Sequence, residues 1–408
     1  MISKQGGLRV CTFSSLFPST RSPNAGIFIR ERMFRIAREF PLVVVAPQAW
    51  SPFDWIVRMV RPDFRPMDLR SEIVDGINIL RPRYLSIPGI GKRFDGFLMA
   101  TSCLPSMRRL HRTFGFTVID AHFGYPDGHA AVRIGRALSV PVVVSLRGSK
   151  DERLIGTSRE KGLRWALSKA DALISVSEKL RIDVVERLGI NRPVTLIGNG
   201  IDLVRFSAEP RNEARARLGL PLRARVMVGV GNLIPLKGFQ RVIPLLPRLR
   251  ERYPDLIYLI VGDAAQQADI RPELVALARH WDVLDAVQFA GRQPQEELKW
   301  YYSAADLFVL ATEYEGWANV FLEAMSCGLP VITTRVGGNS EVVPEGIAGT
   351  LVDYWDPDAF ARAIDDGLSR GWDYSAIQAY ARSQEWPRKI NILTKLLLEV
   401  SSAKPNPS

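Results

Sequence analysis

Short runs of apolar, largely β-branched residues alternate with helix-length amphipathic segments along almost the whole chain. The runs are LRVCTFSSL, PLVVVA, INILRP, FTVIDAHF, PVVVSL, ALISVS and VTLIG in the first half, then RVMVGVG, LIYLIVG, VQFAG, DLFVLAT, PVITT and GTLVD in the second. Continuous apolar runs of this length are typical of strands that are buried on both faces of a parallel sheet. The pattern therefore predicts an α/β protein with two doubly wound, Rossmann-like domains.

The length of 408 residues also fits two domains. The alternation breaks at NGIDLVRFSAEP, so we expect a first domain over residues 1–203 and a second over 204–385. Residues 386–402 have the periodicity of a C-terminal helix, and residues 403–408 are expected to be a disordered tail. Ligands of such sheets bind beyond the carboxyl ends of the strands, so two facing domains imply a cleft between them.

Positive charge is concentrated in the first half of the chain. Residues 1–203 contain 31 Lys and Arg against 18 Asp and Glu, whereas the whole chain carries a formal net charge of +11. Between Gly76 and Ile119 the sole acid is Asp95, and the basic residues there are interleaved with aromatic ones. A solvated surface, an anionic membrane and nucleic acid are the alternatives. No nucleic-acid-binding motif accompanies the charge, so we favour an anionic membrane surface over nucleic acid.

Several sequence features favour a cytoplasmic location. No apolar run approaches the roughly 20 residues that a membrane-spanning helix needs. The N-terminal residues lack the hydrophobic stretch of a signal peptide. Cys11, Cys103 and Cys327 are scattered, form no metal-binding pattern and leave an odd thiol, which is typical of a reducing compartment.

The segment EGWANVFLEAMSCGLPV, from Glu315 to Val331, is the most informative in the chain. It follows the run DLFVLAT, so Glu315 is expected in a loop at the carboxyl end of a strand. Asn319–Ser326 is predicted to be a helix whose first-turn N–H groups could bind a phosphate. Glu323 would offer two acceptor oxygens to a diol such as a ribose. Either glutamate alone would more often be a solvated or capping residue, but together they indicate a site.

The pattern E-G-x-x-N-V-x-x-E-A-M-x-x-G-x-P-V resembles the nucleotide-sugar signature of retaining GT-B glycosyltransferases, specifically glycosyltransferase family 4. The motifs FSSLFPS, AHFGYPDG and SLRGSKDE are similar to the branch that makes teichuronic acids and exopolysaccharides. The resemblance implies the GT-B fold, with an acceptor-binding first domain and a nucleotide-sugar-binding second domain facing it across a cleft. It also implies that helix 386–402 packs back on the first domain.

The resemblance assigns roles to the residues of this signature. It implies that Glu323 binds the ribose hydroxyls and that Glu315 contacts the donor sugar. Gly337 and Gly338 follow the run PVITT, where glycine would let the backbone approach a ligand closely, although a plain turn is the alternative. The residues implied to line the diphosphate and the sugar are Gly316, Trp317, Ala318, Asn319 and Val320.

A second glycine-containing segment, GNLIPLKG, follows the run RVMVGVG. The family usually has G-R-L-x-x-x-K-G here, with the arginine and the lysine both on the donor diphosphate. Lys237 and Gly238 match this pattern, but Asn232 replaces the arginine and carries no charge. Either Arg147 or Lys150 of SLRGSKDE compensates for the missing cation, as an acceptor or phosphate contact, or the anion is stabilised differently in this branch.

In the first half, His122 directly follows the run FTVIDA, where the family has an active-site histidine. The alternative is a histidine bonded within its loop. Family 4 enzymes also often place a glycine after the first strand against the donor phosphates, and Gly26 is the candidate here. The resemblance thus implies His122, Glu315 and Lys237 as catalytic residues. No D-x-D motif or ligand cluster with metal spacing occurs where one would be needed, so we expect no metal and no other cofactor.

Together, these features predict a retaining, metal-independent, hexosyltransferase-type glycosyltransferase. It would move a sugar from a nucleoside-diphosphate-sugar to a lipid-linked or polysaccharide-precursor acceptor in bacterial surface polysaccharide synthesis. The basic first domain would hold it as a peripheral protein on the inner face of the plasma membrane. The alternatives are a GT-B-fold nucleotide-sugar epimerase and a non-catalytic GT-B-like binding protein, which Asn232 alone supports.

Overall fold

The structure is a computed structural model of the chain, and it describes residues 7–23, 25–60, 64–65, 67–87, 89–264, 269–354 and 356–403. Contacts divide the chain into two compact units. The first comprises Met1–Asn199 with Pro387–Ser408, and the second comprises Gly200–Trp386. The bounds expected from the sequence were residues 203 and 385. Part of the expected tail, residues 404–408, lies outside the described residues.

The first unit is built on a parallel sheet with one antiparallel edge strand. Its strands are β1 (Val10–Phe13), β2 (Leu42–Val45), β3 (Gln48–Trp50), β4 (Ser71–Val74), β5 (Ile77–Leu80), β6 (Arg83–Leu85), β7 (Val118–His122), β8 (Val142–Leu146), β9 (Ala172–Ser175) and β10 (Val194–Leu196). The main sheet has the order β10-β9-β8-β7-β1-β2-β5-β4, and β3 pairs separately with β6. Strands β1, β2, β7 and β8 are buried along their whole length, which explains their uninterrupted apolar runs.

Helices cover the sheet of the first unit. They are α1 (Ile27–Ile36), α2 (Asp54–Val60), α3 (Asp95–Phe114), α4 (His129–Leu138), α5 (Ser149–Glu152), α6 (Glu160–Lys169) and α7 (Glu178–Arg181). Short 3-10 or π-helical turns lie at Gly89–Phe94, Gly124–Gly128 and Ile182–Glu186. Ser177 caps α7, because its side chain accepts a hydrogen bond from the Leu180 N–H.

The second unit contains a six-stranded, all-parallel sheet. Its strands are β11 (Val226–Val230), β12 (Ile257–Val261), β13 (Val287–Gly291), β14 (Leu307–Leu310), β15 (Val331–Thr334) and β16 (Gly349–Val352), in the order β13-β12-β11-β14-β15-β16. The direction in which successive strands are added to the sheet reverses between β11 and β14. Doubly wound sheets bind their ligands at such a switch point. A continuous core of buried apolar side chains, including Tyr258, Phe308 and Phe321, fills the space between sheet and helices.

The helices of the second unit connect its strands. They are α8 (Arg211–Arg217), α9 (Phe239–Val242), α10 (Leu246–Arg252), α11 (Arg271–His280), α12 (Leu298–Ala304), α13 (Asn319–Ser326), α14 (Asn339–Val342), α15 (Pro357–Ser369) and α16 (Tyr374–Ser383), with 3-10 turns at Pro235–Lys237, Ile243–Leu245 and Leu284–Ala286. The last helix, α17 (Trp386–Ser402), belongs almost entirely to the first unit. None of the helices in the described part of the chain has both the length and the apolarity needed to span a bilayer.

All thirteen predicted runs contain a strand, so the prediction of two doubly wound sheets is confirmed. The predicted helix Asn319–Ser326 is confirmed with the same bounds. The basic stretch between Gly76 and Ile119 differs in part from expectation. Arg81 is buried and ion-paired with Glu72 rather than exposed on a basic surface.

Candidate active site

Glu323 lies in α13 and has only 7% of its surface exposed. Its Oε2 accepts a hydrogen bond of 2.7 Å from the hydroxyl of Tyr302 in α12. Burial, together with the neighbouring Glu323 carboxylate, raises the pKa of the Tyr302 hydroxyl well above its usual value. The hydroxyl therefore stays protonated and keeps donating, which fixes the orientation of the carboxylate.

Lys237 and Glu315 form an ion pair at the carboxyl edge of the second sheet. Lys237 Nζ lies 2.5 Å from Glu315 Oε1, and the Thr312 hydroxyl donates to the same oxygen over 3.3 Å. Lys237 follows β11 and Glu315 follows β14, and these strands are neighbours in the sheet. The two loops also share a backbone hydrogen bond, from the Glu313 N–H to the Leu236 carbonyl over 2.8 Å. A cation and a carboxylate thus meet where α/β sheets bind ligands.

Gly238 and Gly337 allow close backbone contacts around this ion pair. Gly337 has φ +51°, and a Cβ built there would lie 2.0 Å from the Glu315 carbonyl oxygen. The next residue, Gly338, donates its N–H to that same carbonyl over 2.8 Å. At Gly238, with φ +77°, a Cβ would lie 1.8 Å from the Ala311 carbonyl oxygen. Packing against backbone carbonyls of the loop after β14 thus requires glycine at positions 238 and 337, and a ligand contact of Gly337 and Gly338 stays a prediction.

The loop that precedes α13 combines buried and half-buried residues. Gly316 and Ala318 are buried, and Trp317, Asn319 and Val320 are half-buried. Ala318 is the N-cap residue of α13 and has no side-chain acceptor with which to cap the first-turn N–H groups. Such a helix start favours an anion.

Asn232, which stands where the family usually has arginine, is exposed. Its carbonyl accepts a hydrogen bond of 2.8 Å from the Ile234 N–H. Asn232 lies beside the 3-10 turn that carries Lys237, so it stays a candidate contact for the nucleotide-sugar donor. Unlike arginine, it would bring no charge to that contact.

In the first unit, His122 ends β7 and is completely buried. Arg147 Nε donates a hydrogen bond of 3.0 Å to its Nδ1. Because Nδ1 is an acceptor, the ring proton is assigned to Nε2, which lies 3.5 Å from Asp120 Oδ2. Asp120 and His122 are two residues apart on one strand, so their side chains share a face of the sheet.

A second buried arginine extends this network. Arg147 Nη1 donates to Asn199 Oδ1 over 2.9 Å. Arg32 Nη2, from α1, donates to the Ile197 carbonyl over 2.6 Å and lies 3.4 Å from the same Asn199 oxygen. Arg32 and Arg147 are 1% and 6% exposed. Two guanidinium groups are therefore buried near the Asp120 carboxylate.

The buried network keeps His122 neutral. Burial, reinforced by the positive charges of Arg147 and Arg32, holds the pKa of His122 well below its usual value. Burial also raises the pKa of Asp120 to about 6, although Arg147 and Arg32 act in the opposite direction. A neutral imidazole with its proton on Nε2 can donate a hydrogen bond but adds no charge.

The remaining predicted residues of the first unit lie in different settings. Arg147 is committed to contacts with His122 and Asn199, so its role toward a phosphate stays a prediction. Lys150 is exposed, with Nζ 4.6 Å from the centroid of the Phe123 ring. Gly26 starts α1 with φ +68°, and a Cβ there would lie 2.3 Å from the Leu16 carbonyl oxygen. Packing against Leu16 thus already requires a glycine at position 26.

Sequence reasoning missed Asp120, Arg32 and Tyr302. Asp120 carried a usable signal, because a carboxylate two residues before a strand-end histidine must lie on the same face. Arg32 and Tyr302 are brought to their positions by tertiary packing within each unit, and no local pattern marks them. Within the described part of the chain, no three His, Cys, Asp or Glu side chains are grouped so that they could hold a metal ion. Metal independence stays a prediction.

Two family models match this chain and cover most of both units. The model described as glycosyl transferases group 1 matches residues 210–384, and the model described as glycosyltransferase family 4 matches residues 57–205. With the two Rossmann-like sheets, these matches confirm the resemblance, and the chain belongs to the GT-B glycosyltransferases of the group 1 and family 4 type.

The similar proteins include enzymes with several substrates. The chain is 28% identical over 341 residues to TuaC of Bacillus subtilis, which is assigned as a teichuronic acid biosynthesis glycosyltransferase, and the match covers 82% of this chain and 83% of that protein. It is 30% identical over 287 residues to a D-inositol 3-phosphate glycosyltransferase of Salinispora tropica, covering 66% of this chain and 58% of that enzyme.

Solved structures share the fold over nearly the whole chain. Sucrose-phosphate synthase from Thermosynechococcus elongatus has a TM-score of 0.75 at 20% identity, covering 96% of this chain and 99% of that one. Anabaena HepE, solved in complex with UDP, has a TM-score of 0.73 at 18% identity, covering 96% of this chain and 100% of that one. At these identities the comparison shows the GT-B fold and no more.

Proposed function

We propose that this glycosyltransferase moves a sugar from a nucleoside-diphosphate-sugar to a lipid-linked or polysaccharide-precursor acceptor in bacterial surface polysaccharide synthesis. The observation that carries the proposal is the Lys237–Glu315 ion pair at the carboxyl edge of the second sheet. TuaC, which is assigned to teichuronic acid synthesis, supports a polysaccharide-precursor acceptor. HepE, which was solved with UDP, supports a nucleoside-diphosphate-sugar donor.

Each donor-side residue has a role that its contacts allow. Glu323, oriented by Tyr302, accepts hydrogen bonds from the ribose hydroxyls. Glu315 accepts them from hydroxyls of the donor sugar. Lys237 neutralises the diphosphate, which competes with Glu315 for the ammonium group when the donor binds. The start of α13 contributes its helix dipole to the same anion.

The transfer retains the configuration at the anomeric carbon. The bond from C1 to the donor diphosphate oxygen breaks, and the acceptor hydroxyl oxygen bonds to C1 on the same face. The hydroxyl proton passes to the departing phosphate oxygen, which yields the nucleoside diphosphate. His122 is buried and neutral, so it adds no charge at the reacting sugar, and its contact there stays a prediction. The protein therefore acts by positioning, charge neutralisation and exclusion of water.

The reaction proceeds without a metal or another cofactor, since Lys237 and the start of α13 stabilise the departing diphosphate. The protein acts in the cytoplasm, as a peripheral protein on the inner face of the plasma membrane. Transfer measured with and without EDTA tests the first statement, and loss of activity in EDTA that Mg²⁺ restores would contradict it.

Thermal unfolding in the presence of UDP, GDP, ADP, TDP and their sugars tests the donor site. A ligand at about 100 times its Kd adds about 2.7 kcal/mol to the free energy of unfolding. For a protein of this size we expect the melting temperature to rise by a few degrees with one base and its sugars. Glu323→Gln should lose most of this rise, whereas Glu313→Gln, on an exposed neighbouring residue, should keep it.

Transfer itself is tested with the donor that stabilises the protein. Nucleotide release that depends on a lipid-linked glycan acceptor, and a product whose anomeric configuration matches the donor by NMR, are the expected results. Release of an epimerised sugar without any acceptor would favour an epimerase. A stabilising ligand with no chemistry in the presence of acceptor extracts would favour a binding protein.

A further inference from the structure

Helix α2 turns apolar side chains toward solvent. Its exposed face consists of Trp55, Ile56, Met59 and Val60, which are 63%, 47%, 76% and 84% exposed. With 3.6 residues per turn, these four positions fall within about 140° of the helix circumference, so they form a single surface. Asp54, at the start of the helix, is buried instead. An ordinary surface helix has the opposite pattern, and a contiguous apolar surface marks an interaction site.

Polar contacts hold the start of α2 beside the start of α3. Arg65 Nη1 lies 3.2 Å from Asp54 Oδ1 and donates to the Ser86 carbonyl over 2.9 Å. The Ser86 hydroxyl in turn lies 3.1 Å from Oδ2 of Asp95, the first residue of α3. Phe94, which is 49% exposed and directly precedes Asp95, is a further exposed apolar side chain near the start of α2.

In the described stretches 50–60 and 89–97, the exposed charge is positive. The acids of the described stretches 50–60 and 89–97 are Asp54 and Asp95, and both are buried and ion-paired. Arg93 is exposed, with its guanidinium carbon 4.7 Å from the Phe94 ring centroid. Further along α3, Arg108, Arg109 and Arg112 are exposed as well. An exposed apolar helix face with exposed arginine beside it complements the acyl chains and phosphates of an anionic bilayer.

We propose that the apolar face of α2 inserts into the headgroup region of an anionic bilayer while Arg93 and the arginines of α3 contact lipid phosphates. This inference rests on the proposed function, because a lipid-linked acceptor has to be reached at a membrane surface. It assigns the insertion to α2, which lies outside the basic stretch between Gly76 and Ile119 to which the charge pattern alone had pointed.

The chain is well suited to a site-specific fluorescence test. Cys11, Cys103 and Cys327 are buried, and burial raises the pKa of each thiol, so all three react slowly with thiol reagents. Met59→Cys then carries an environment-sensitive fluorophore on α2. Val204→Cys is the matched control, because Val204 is an 89% exposed apolar residue of the second unit. Each full-length protein is mixed with vesicles of phosphatidylcholine, with or without phosphatidylglycerol.

We expect emission from position 59 to shift to the blue, and to be quenched by acyl-chain spin labels, with the anionic vesicles alone. Emission from position 204 should not change. The double variant Trp55→Ser/Met59→Ser should reduce the vesicle-bound fraction at limiting lipid at least about fivefold, because two large apolar side chains no longer insert. Val204→Ser/Leu222→Ser, which removes exposed apolar residues elsewhere, should bind like the unaltered protein.

Three results would overturn the inference, and they differ in what else they overturn. If the protein bound vesicles without any change of emission at position 59, the basic surface alone would account for membrane association and α2 would not insert. Failure to sediment with either vesicle would also overturn the peripheral-membrane part of the proposed function, while transfer to a soluble acceptor analogue would test the chemistry separately. A lipid-independent change at position 59 that grows with protein concentration would identify a second copy of the chain as the occupant.

Discussion

The ammonium group of Lys237 and the carboxylate of Glu315 face each other over 2.5 Å, although 78 positions separate them in the chain. Their side chains are 18% and 14% exposed, so the pair is partly shielded from water but still reachable by a ligand. A donor that brings a diphosphate to Lys237 and sugar hydroxyls to Glu315 would replace one charge-assisted contact with several. The pair thus keeps both residues in place before the donor arrives.

Replacing Glu315 with glutamine should reduce kcat/KM at subsaturating donor by about ten- to a hundredfold. A hydrogen bond to a charged group contributes about 1.5–3 kcal/mol, and the neutral amide retains only part of it. Glu313→Gln, two positions earlier on an exposed side chain, is the control and should leave the rate unchanged. Equal rates for the two variants would show that Glu315 does not touch the donor.

Two glycine variants separate steric overlap from backbone strain. Gly337→Ala and Gly346→Ala both place alanine at a positive φ, which costs about 1–2 kcal/mol. A Cβ at Gly337 would also meet the Glu315 carbonyl, whereas one at Gly346 meets nothing within 4 Å. We expect both variants to lower the free energy of unfolding, and Gly337→Ala to lower it more than Gly346→Ala. Only Gly337→Ala should also weaken donor binding. Urea unfolding and donor titration measure the two effects, and identical behaviour of the variants would contradict this account.

The sequence was sufficient to predict the strands and helices that carry the donor-side residues. Buried parallel strands such as β11 and β14 are uninterrupted apolar runs, and α13 is bounded by the loop after β14 and by Cys327-Gly328, so local patterns define them. Strands β3, β4 and β6 were missed. They have three or four residues, and β4 alternates exposed and half-buried positions. The Asp75-Gly76 turn between β4 and β5, with φ +51° and +77°, was a hairpin signal that could have revealed one of them.

The contacts within the site were less predictable than its members. The rule that strand ends meet at one edge of a sheet brings the Lys237 and Glu315 loops together, but it does not predict their ion pair. The Arg32–Asn199 contact spans 167 positions. Each residue contributes one polar group to it, and no spacing in the sequence links them. Such contacts follow from tertiary packing, which side-chain periodicity does not encode.

Tyr302→Phe should weaken donor binding and leave the fold intact. The phenyl ring preserves the packing against Phe206 and Phe308, and only the hydroxyl that orients Glu323 is lost. Removing one hydrogen-bond donor from a buried carboxylate costs about 1–3 kcal/mol. We expect a smaller nucleotide-induced rise of the melting temperature and a higher KM for the donor, with little change in kcat. Tyr301→Phe, on a neighbouring tyrosine of the same helix, is the control. A lower kcat with unchanged KM would contradict a role in orienting the ribose contact.

His129 makes the stability of the protein depend on pH in a predictable direction. Its ring packs between Tyr125 and Trp165, and burial, with a smaller effect of Arg133, lowers its pKa from 6.5 to about 4. Between pH 4 and 6.5 the unfolded chain therefore binds the proton that the folded chain excludes, so this histidine lowers the free energy of unfolding as the pH falls through that range.

The variant His129→Phe keeps an aromatic ring in this position and removes the titrating group. We expect its free energy of unfolding, measured by urea denaturation from pH 7.5 to 4.5, to fall less steeply with acid than that of the unaltered protein. Asp120 and Asp151, whose pKa values burial raises to about 6, act in the opposite direction, since the folded state binds their protons more tightly. They are present in both proteins, so they cancel in the difference between the two curves. Parallel curves would mean that His129 is already charged, or hydrated, in the folded protein.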